Sequence, residues 1–193
     1  MNKRNFITTG ASMAALALLS TTGCTTSGGS SGDPAAQRVS IDAAVDSALT
    51  RLYPQAIGSR ELVASARGVL VIPSFVSAGF IVGGGSGQGA LRVAGKTASY
   101  HRMTEGSVGL QAGAQSQAVF ILFMTEEALN RFRSSNGWTI GADASVALIT
   151  VGADARITSQ TGQQPVIGFV LTNSGIMGSL SLSGSRVTTL DIK

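Results

Sequence analysis

Basic side chains that could bind phosphate are grouped in one short segment. Arg92, Lys96 and Arg102 all lie in ALRVAGKTASYHR, residues 90–102, which has the pattern of a strand–turn–strand hairpin. Arginine holds a phosphate through two parallel hydrogen bonds, whereas lysine contributes a compact positive charge. We therefore expect these residues to contact an anionic group, with Arg92 and Arg102 flanking the turn and facing one phosphate. The alternative is an ordinary solvated strand face.

His101 is the only histidine in the chain and the natural candidate for a general base or a metal ligand. No nucleophile motif of the G-x-S-x-G type lies beside it, and the single cysteine leaves no His/Cys metal cluster. Its position in SYHRM, residues 99–103, predicts a half-exposed strand residue. Glu126 and Glu127 are explained by the beginning of a helix, whose dipole favours negative charge. We expect no enzymatic activity, no metal site and no cofactor.

Two glycine-containing segments have only a superficial likeness to nucleotide-binding loops. GGGSGQG, residues 83–89, would need a following helix to present backbone N–H groups to a phosphate, but the next residues, ALRV, have the pattern of a strand. We predict a curved hairpin or a bulge there. The Gly-Lys pair at residues 95–96 lacks the glycine that a P-loop requires five positions earlier, where Ala90 stands. Nucleotide binding is not expected.

The lone cysteine, Cys24, has the setting of a lipid-attachment residue. Basic residues 3–4 precede a short apolar run at residues 11–19, which is too short for a transmembrane helix of about 20 apolar residues. This arrangement is typical of an export signal. The small residues 22–23 lead directly into Cys24, as in the lipobox of bacterial lipoproteins, although Thr21 stands where leucine is usual. We expect cleavage before Cys24 and acylation of its thiol and amine.

The sequence predicts three successive segments. A lipoprotein signal peptide covers residues 1–23, an acylated cysteine and a flexible Gly/Ser-rich tether cover residues 24–38, and one folded domain covers residues 39–193. Threonine rather than a retention aspartate follows the cysteine, which favours an outer-membrane lipid anchor with the domain in the periplasm; exposure at the cell surface is the alternative. The formal net charge is only +4 and the basic residues form no run, so nucleic-acid binding is not expected.

Helical periodicity precedes the strands. Ser40 precedes IDAAVDSALTRLY, whose apolar residues are spaced by three and four, so we predict a helix with Ser40 as its N-cap. Ser59 begins a second helix that Gly68 closes, and Thr125 caps a third over EEALNRFR. Ten short runs rich in branched and aromatic residues predict strands. They are residues 69–72, 79–82, 90–93, 99–103, 119–124, 144–151, 155–158, 165–171, 178–184 and 186–192.

These elements predict an α+β fold. We expect a β-rich single domain whose strongly curved antiparallel sheet is open or barrel-like, with N-terminal helices and one helix inserted between strands. Trp138, the only tryptophan, is expected to pack in the core or against a loop; the alternative is an anchor at a membrane interface.

Three longer segments carry a family resemblance. ARGVLVIPSFVSAGFIVGGGSGQGALRV (66–93), SVGLQAGAQSQAVFILFMTEEALNRF (107–132) and GADASVA (141–147) resemble the SYLF domain, a lipid-binding domain of bacteria and eukaryotes. The resemblance implies that an N-terminal helical segment with basic residues contacts membranes. That segment corresponds here to about residues 40–67, which contain Arg51, Arg60 and Arg67 and are poorer in lysine than eukaryotic members.

Taken together, these features predict an outer-membrane-anchored lipoprotein whose SYLF-like domain binds phospholipid without catalysis. Its partners would be membrane phospholipids, recognised through an anionic headgroup, an acyl chain or both. The candidate contacts are Arg51, Arg60, Arg67, Arg92, Lys96 and Arg102. The alternative function is a structural or protein-interaction component of the cell envelope, for which the sequence indicates no particular protein partner.

Overall fold

The hydrophobic pattern changes from helical to strand-like at Gly68, and the architecture changes with it. A computed structural model describes residues 33–79, 82–108, 113–151, 163–172, 182 and 184–193. Its helices are α1 (Pro34–Gln55), α2 (Ser59–Ser65) and α3 (Glu126–Ser134). Its strands are β1 (Gly68–Gly79), β2 (Val82–Val93), β3 (Lys96–Val108), β4 (Gly113–Phe123), β5 (Trp138–Thr139), β6 (Ala147–Val151), β7 (Val166–Thr172) and β8 (Arg186–Thr189).

The eight strands found in the described residues belong to one sheet, in the order β5-β8-β3-β2-β1-β4-β7-β6. The sheet curls strongly into a half-barrel, with α1 at the N-terminal side and α3 inserted between strands, so the predicted α+β class is confirmed. Neighbouring strands are antiparallel except β6 and β7, where the antiparallel prediction is wrong. Parallel neighbours need a crossover connection of about a dozen residues, and residues 152–165 supply that length.

The first helix begins earlier than the sequence pattern indicated. The carboxylate of Asp33 accepts a hydrogen bond from the Ala35 N–H at 3.0 Å and caps the helix. Pro34 occupies the first turn, where its missing N–H removes no intrahelical hydrogen bond. Ser40 therefore lies inside α1 rather than at its N-cap, and residues 34–38, which the sequence pattern places in the tether, are helical.

The sheet has an apolar core on each face. On one face, α1 buries Val45, Ala48 and Leu52 in a cluster that includes Phe120 and Phe169. This apolar stripe has the three-and-four spacing expected of an amphipathic helix.

The other face of the sheet carries the aromatic core. Trp138 is only 2% exposed, and its ring centroid lies 5.8 Å from that of Phe123 and 5.5 Å from that of Phe132. The predicted core position of Trp138 is therefore confirmed. His101 is also buried on this face, at 6% exposure, so the prediction of a half-exposed residue is wrong. Strand alternation puts His101 on the same side as the buried Met103.

The glycine-rich segment 83–89 is part of β2 and makes no hairpin. The irregularity is a bulge in the neighbouring strand β1, between Val71 and Ser74. A Cβ atom at Gly89 would lie 1.8 Å from the Val71 carbonyl oxygen, so glycine lets the bulged backbone approach β2. The predicted hairpin is wrong. A bulge is present, but it lies in β1, and the glycines that accommodate it lie in β2.

The end of α2 differs from the sequence prediction, and some predicted features lie outside the described residues. Gly68 is the first residue of β1 and does not cap α2, which ends at Ser65. Cys24, the strand predicted at residues 155–158 and most of the one predicted at 178–184 lie outside the described residues.

Candidate functional site

A cleft of about 430 Å³ opens between α1, α2, the beginning of β1 and the β2–β3 turn. Its apolar lining comes from Leu49, Val63, Ala64, Ala66 and Val69, several of which pack against the core beneath α1. Four side chains with charged or polar groups complete the wall: Asp46, Tyr53, Arg60 and Arg92. The cleft is therefore an apolar depression bordered by two cations, one anion and one phenol.

Helix α1 supplies one wall of this cleft. Asp46, Leu49 and Tyr53 are spaced by three and four residues, which places them on one side of the helix. The chain then reverses at Gly58, whose φ of 85° is in the left-handed region that favours glycine. This turn places α2 against α1, so that the Arg60 guanidinium carbon lies 4.2 Å from the centroid of the Tyr53 ring. This distance is typical of a cation–π interaction.

Arg92 closes the side of the cleft that faces the sheet. Its side chain is 16% exposed, and its guanidinium lies 2.9 Å from the Asp46 carboxylate and 3.6 Å from that of Asp42. It also donates a hydrogen bond to the Asp42 backbone carbonyl at 3.3 Å. The positive charge of Arg92 is thus compensated inside the protein by two carboxylates of α1.

Asp42 connects α1 to β3 as well. Its carboxylate accepts hydrogen bonds from the Thr97 hydroxyl at 2.7 Å and the Tyr100 hydroxyl at 3.0 Å. Burial raises the pKa of Tyr100, and the hydrogen bond and negative charge of Asp42 act in the same direction. Tyr100 therefore stays protonated as a hydrogen-bond donor at neutral pH, and the network fixes the position of α1 on the sheet.

Of the six arginine and lysine residues predicted to contact lipid, the structure brings Arg60 and Arg92 to the cleft. Arg67 forms an ion pair with Glu126 at 3.8 Å, on an exposed surface. Arg51 is exposed on α1, and Lys96 is exposed at the beginning of β3. These three residues do not line the cleft.

Arg92 and Arg102 are not brought together, although both face the α1 side of the sheet. Arg92 is paired in the β2–β3 ladder with Thr97, whereas Arg102 is paired with Gln88. Thr97 and Arg102 are about 17 Å apart along the strand. Arg92 turns toward the aspartates of α1 while Arg102 is exposed, so the structure gives no support to a phosphate shared by the two.

Asp46 and Tyr53 are members of the site that the sequence-based predictions do not include. A signal for them was present, because Asp42, Asp46, Leu49 and Tyr53 are spaced by four, three and four residues and so share one helix face. What the sequence did not indicate was the partner of this face, since Arg92 lies far along the chain.

A second cavity, of about 210 Å³, lies at the beginning of α3 and includes Glu127, Arg131 and Asp143 in its lining. Its arginine already forms an ion pair with Glu127 at 2.5 Å.

Within the described ranges, no group of three or more histidine, cysteine, aspartate or glutamate side chains is placed to hold a metal ion. In the same part of the chain, no helix has the length and apolar character needed to cross a membrane.

Comparison with known proteins gives one family match. Residues 104–191 match the family model Ysc84, described as "Las17-binding protein actin regulator". Over this segment the chain is similar to the SYLF domain family, which is consistent with membership of that family. No curated protein matches the chain.

The SYLF match begins within β3 and runs through β8. The lining residues of the cleft, between Asp46 and Gly95, precede the matched segment. The SYLF family supports a domain of lipid-binding or actin-regulator type.

Proposed function

We propose that this SYLF-domain protein is an outer-membrane lipoprotein, anchored through acylated Cys24, that binds phospholipid at the α1–α2 cleft without chemically changing it. The family supports lipid binding in general terms. The export signal and lipobox-like residues before Cys24 support exposure to the envelope. The observation that carries the proposal is the cleft itself, because it joins an apolar floor to an arginine available for an anionic group.

Arg60 is the cation best placed to bind a phosphate. Arg92 already has two carboxylate partners, and its side chain is largely buried. Arg60 is exposed and rests on the Tyr53 ring, and in the part of the chain that the structure describes it has no carboxylate within ion-pair distance. Its guanidinium can therefore accept a phosphate as a bidentate partner without breaking an internal ion pair.

The size and lining of the cleft fit part of a phospholipid. Its volume of about 430 Å³ lies within the 300–1,000 Å³ typical of small-molecule sites, at approximately the lower end. This space is suited to a headgroup and the first carbons of the chains, while the rest of the lipid stays in the bilayer. Contact of those carbons with Leu49, Val63 and Val69 would contribute about 0.8 kcal/mol for each buried methylene group.

The anchor is tested separately from the cleft. Mass spectrometry of the N-terminal peptide of the native protein should show a chain that begins at Cys24 and carries acyl groups. Cys24→Ser should abolish acylation, and no chain that begins at residue 24 should be produced. A native protein that is uncleaved, or cleaved without acylation, would overturn the anchoring part of the proposal.

Lipid binding is tested with the full chain carrying Cys24→Ser, so that acylation does not itself hold the protein on the membrane. We expect this chain to float with vesicles that contain ethanolamine and glycerol phospholipids, and to float less as salt is increased. Arg60→Gln in the same background should lower the bound fraction at least fivefold. Both chains carry the same N-terminal segment, so a difference between their bound fractions measures the contribution of Arg60 in the cleft.

Arg133→Gln is the matched control for the charge change. Arg133 is exposed on α3 and does not line the cleft. Its substitution should leave the bound fraction within about twofold of the unsubstituted chain. Equal losses for Arg60→Gln and Arg133→Gln would show that only overall charge matters, and no association with any vesicle would favour the alternative of an envelope protein-interaction component.

A further inference from the structure

The wall of the cleft carries an anion beside its cations, which is unusual for a site that binds only a negative headgroup. We infer that the cleft selects a zwitterionic phospholipid with a primary ammonium group, such as phosphatidylethanolamine: Asp46 binds the ammonium and Arg60 binds the phosphate. This inference rests on the proposed function and specifies its ligand.

Asp46 has capacity for a ligand beyond its internal partner. Its Oδ1 atom lies 2.9 Å from Arg92, but the side chain is 69% exposed. An ionised carboxylate has about four acceptor positions on its two oxygens. The ion pair with Arg92 therefore orients the carboxylate and leaves acceptor positions directed to solvent at the edge of the cleft. An anionic lipid without an amine would meet this carboxylate as a like charge.

The spacing of the two groups suits an ethanolamine headgroup. Asp46 and Tyr53 are two helical turns apart, about 10 Å along the axis of α1. Arg60 lies over the Tyr53 ring, so this axial separation sets the scale of the distance between its guanidinium and the Asp46 carboxylate. A phosphate and an ammonium joined by two carbons can cover the interval when each forms an ion pair of up to about 4 Å with its partner.

The cleft is poorly suited to choline. Recognition of a quaternary ammonium uses an aromatic cage, and Tyr53 is the one aromatic side chain among the lining residues that the structure describes. The face of its ring is covered by Arg60. A primary ammonium, in contrast, offers N–H donors to the Asp46 carboxylate, and each N-methylation removes one of them.

The inference is tested by flotation of the full chain carrying Cys24→Ser with phosphatidylcholine vesicles. A fixed fraction of the lipid is replaced by phosphatidylethanolamine, by its N-methyl or N,N-dimethyl derivative, or by phosphatidylglycerol. The bound fraction should fall stepwise with methylation, by at least fivefold from ethanolamine to choline. This series needs no substitution in the cleft, so it decides the question even if a variant fails to fold.

Asp46→Asn keeps the shape of the side chain and removes its charge. It should reduce the preference for ethanolamine over choline to less than twofold and leave binding to phosphatidylglycerol equal or stronger. Glu61→Gln is the control, because Glu61 is an exposed acid of α2 outside the lining. It should keep the full preference.

The outcomes separate this inference from the proposed function. Binding to phosphatidylglycerol without any preference for ethanolamine over choline would overturn the inference and leave lipid binding intact. A preference that persists in Asp46→Asn would also overturn it, because the ammonium would then be recognised elsewhere. Failure to bind any of these vesicles would overturn both.

Discussion

The guanidinium of Arg92 on β2 lies 2.9 Å from the carboxylate of Asp46 on α1, and this ion pair fixes one wall of the cleft. Arg92 is 16% exposed, whereas Asp46 is 69% exposed. The arginine therefore acts from inside the protein, and the aspartate presents its remaining acceptor positions outward. A basic residue that the sequence suggests as a ligand for phosphate is, in the structure, a positioning residue for an acid.

Replacing Arg92 by glutamine should lower the free energy of unfolding by about 1–3 kcal/mol, because hydrogen bonds to charged groups are lost and two carboxylates keep no cation between them. Chemical denaturation of the full chain measures this change. Arg102→Gln is the control at an exposed position of the next strand, and it should change stability by less than about 0.5 kcal/mol. Similar losses for both variants would contradict the structural role of Arg92.

The β2–β3 turn contains a strained alanine. Ala94 has a φ of 49° and is followed by Gly95 with a φ of 75°. Two successive positive φ values are typical of a tight hairpin turn that favours asparagine or glycine at the first position. Ala94→Gly should therefore stabilise the protein by up to about 1 kcal/mol, since a left-handed L-residue costs about 1–2 kcal/mol and part of this gain is lost to chain entropy.

The control for this prediction is the same substitution a few residues later. Ala98 is exposed within β3 and has no positive φ. Ala98→Gly should destabilise the protein by about 0.5–1 kcal/mol. Thermal unfolding of the two variants should give shifts of opposite sign; shifts of the same sign would mean that the turn does not strain Ala94.

His101 should make stability depend on pH. Burial lowers its pKa to about 4, an effect that a backbone hydrogen bond with Thr188 partly offsets. The unfolded chain has the ordinary pKa of about 6.5 and so binds a proton that the folded chain excludes between these values. The free energy of unfolding should be constant above about pH 6.5 and fall by about 3 kcal/mol on acidification to pH 4, because one pH unit corresponds to about 1.4 kcal/mol.

The comparison with His101→Phe isolates this effect. Glu105 lies on the same strand, and burial raises its pKa, which gives a stability contribution of the opposite sign that is lost as pH rises. The difference between the two chains cancels the Glu105 contribution. Denaturant unfolding measured from pH 7 to pH 4 should show the stability of the unsubstituted chain falling by about 3 kcal/mol relative to His101→Phe; parallel profiles would show that His101 is protonated equally in both states.

Local signals allowed several elements to be predicted from the sequence. The Thr125 side chain accepts a hydrogen bond from the Ala128 N–H at 3.2 Å, as expected for the N-cap of α3. Glu127 and Arg131 form the predicted pair one turn apart. Each of these features depends on residues within four positions of one another, so the sequence pattern contains all the information required.

Features that depend on distant residues could not be predicted in the same way. The partner of Arg92 on α1 is 46 residues away, and nothing local marks it as an ion-paired residue. Similarly, segment 83–89 has glycines typical of a turn, but the pairing of β2 with β1 and β3 on both sides extends it as a strand. Which of the six candidate cations line the cleft, form a structural ion pair or lie on the open surface therefore depends on the fold and not on local sequence.

Gly89 should be among the least replaceable residues of the sheet. An alanine Cβ at this position would lie 1.8 Å from the carbonyl oxygen of Val71 and 2.9 Å from the Cα atom of Ile72, both of which are backbone atoms. No side-chain rotation relieves this overlap, so the β1 bulge would have to move away from β2. Gly89→Ala should lower the free energy of unfolding by about 3 kcal/mol or more, at the upper end of the cost of overpacking.

Gly106→Ala provides the matched substitution on the neighbouring strand. A Cβ atom at Gly106 meets nothing within 4 Å, and its backbone lies outside the left-handed region. Since alanine is also less flexible than glycine in the unfolded chain, Gly106→Ala should be neutral or stabilise by about 0.4–1 kcal/mol. Denaturant unfolding of both variants compares the two sites directly. If Gly89→Ala were tolerated as well as Gly106→Ala, the β1 bulge would not press against β2, and the glycines of segment 83–89 would need another explanation.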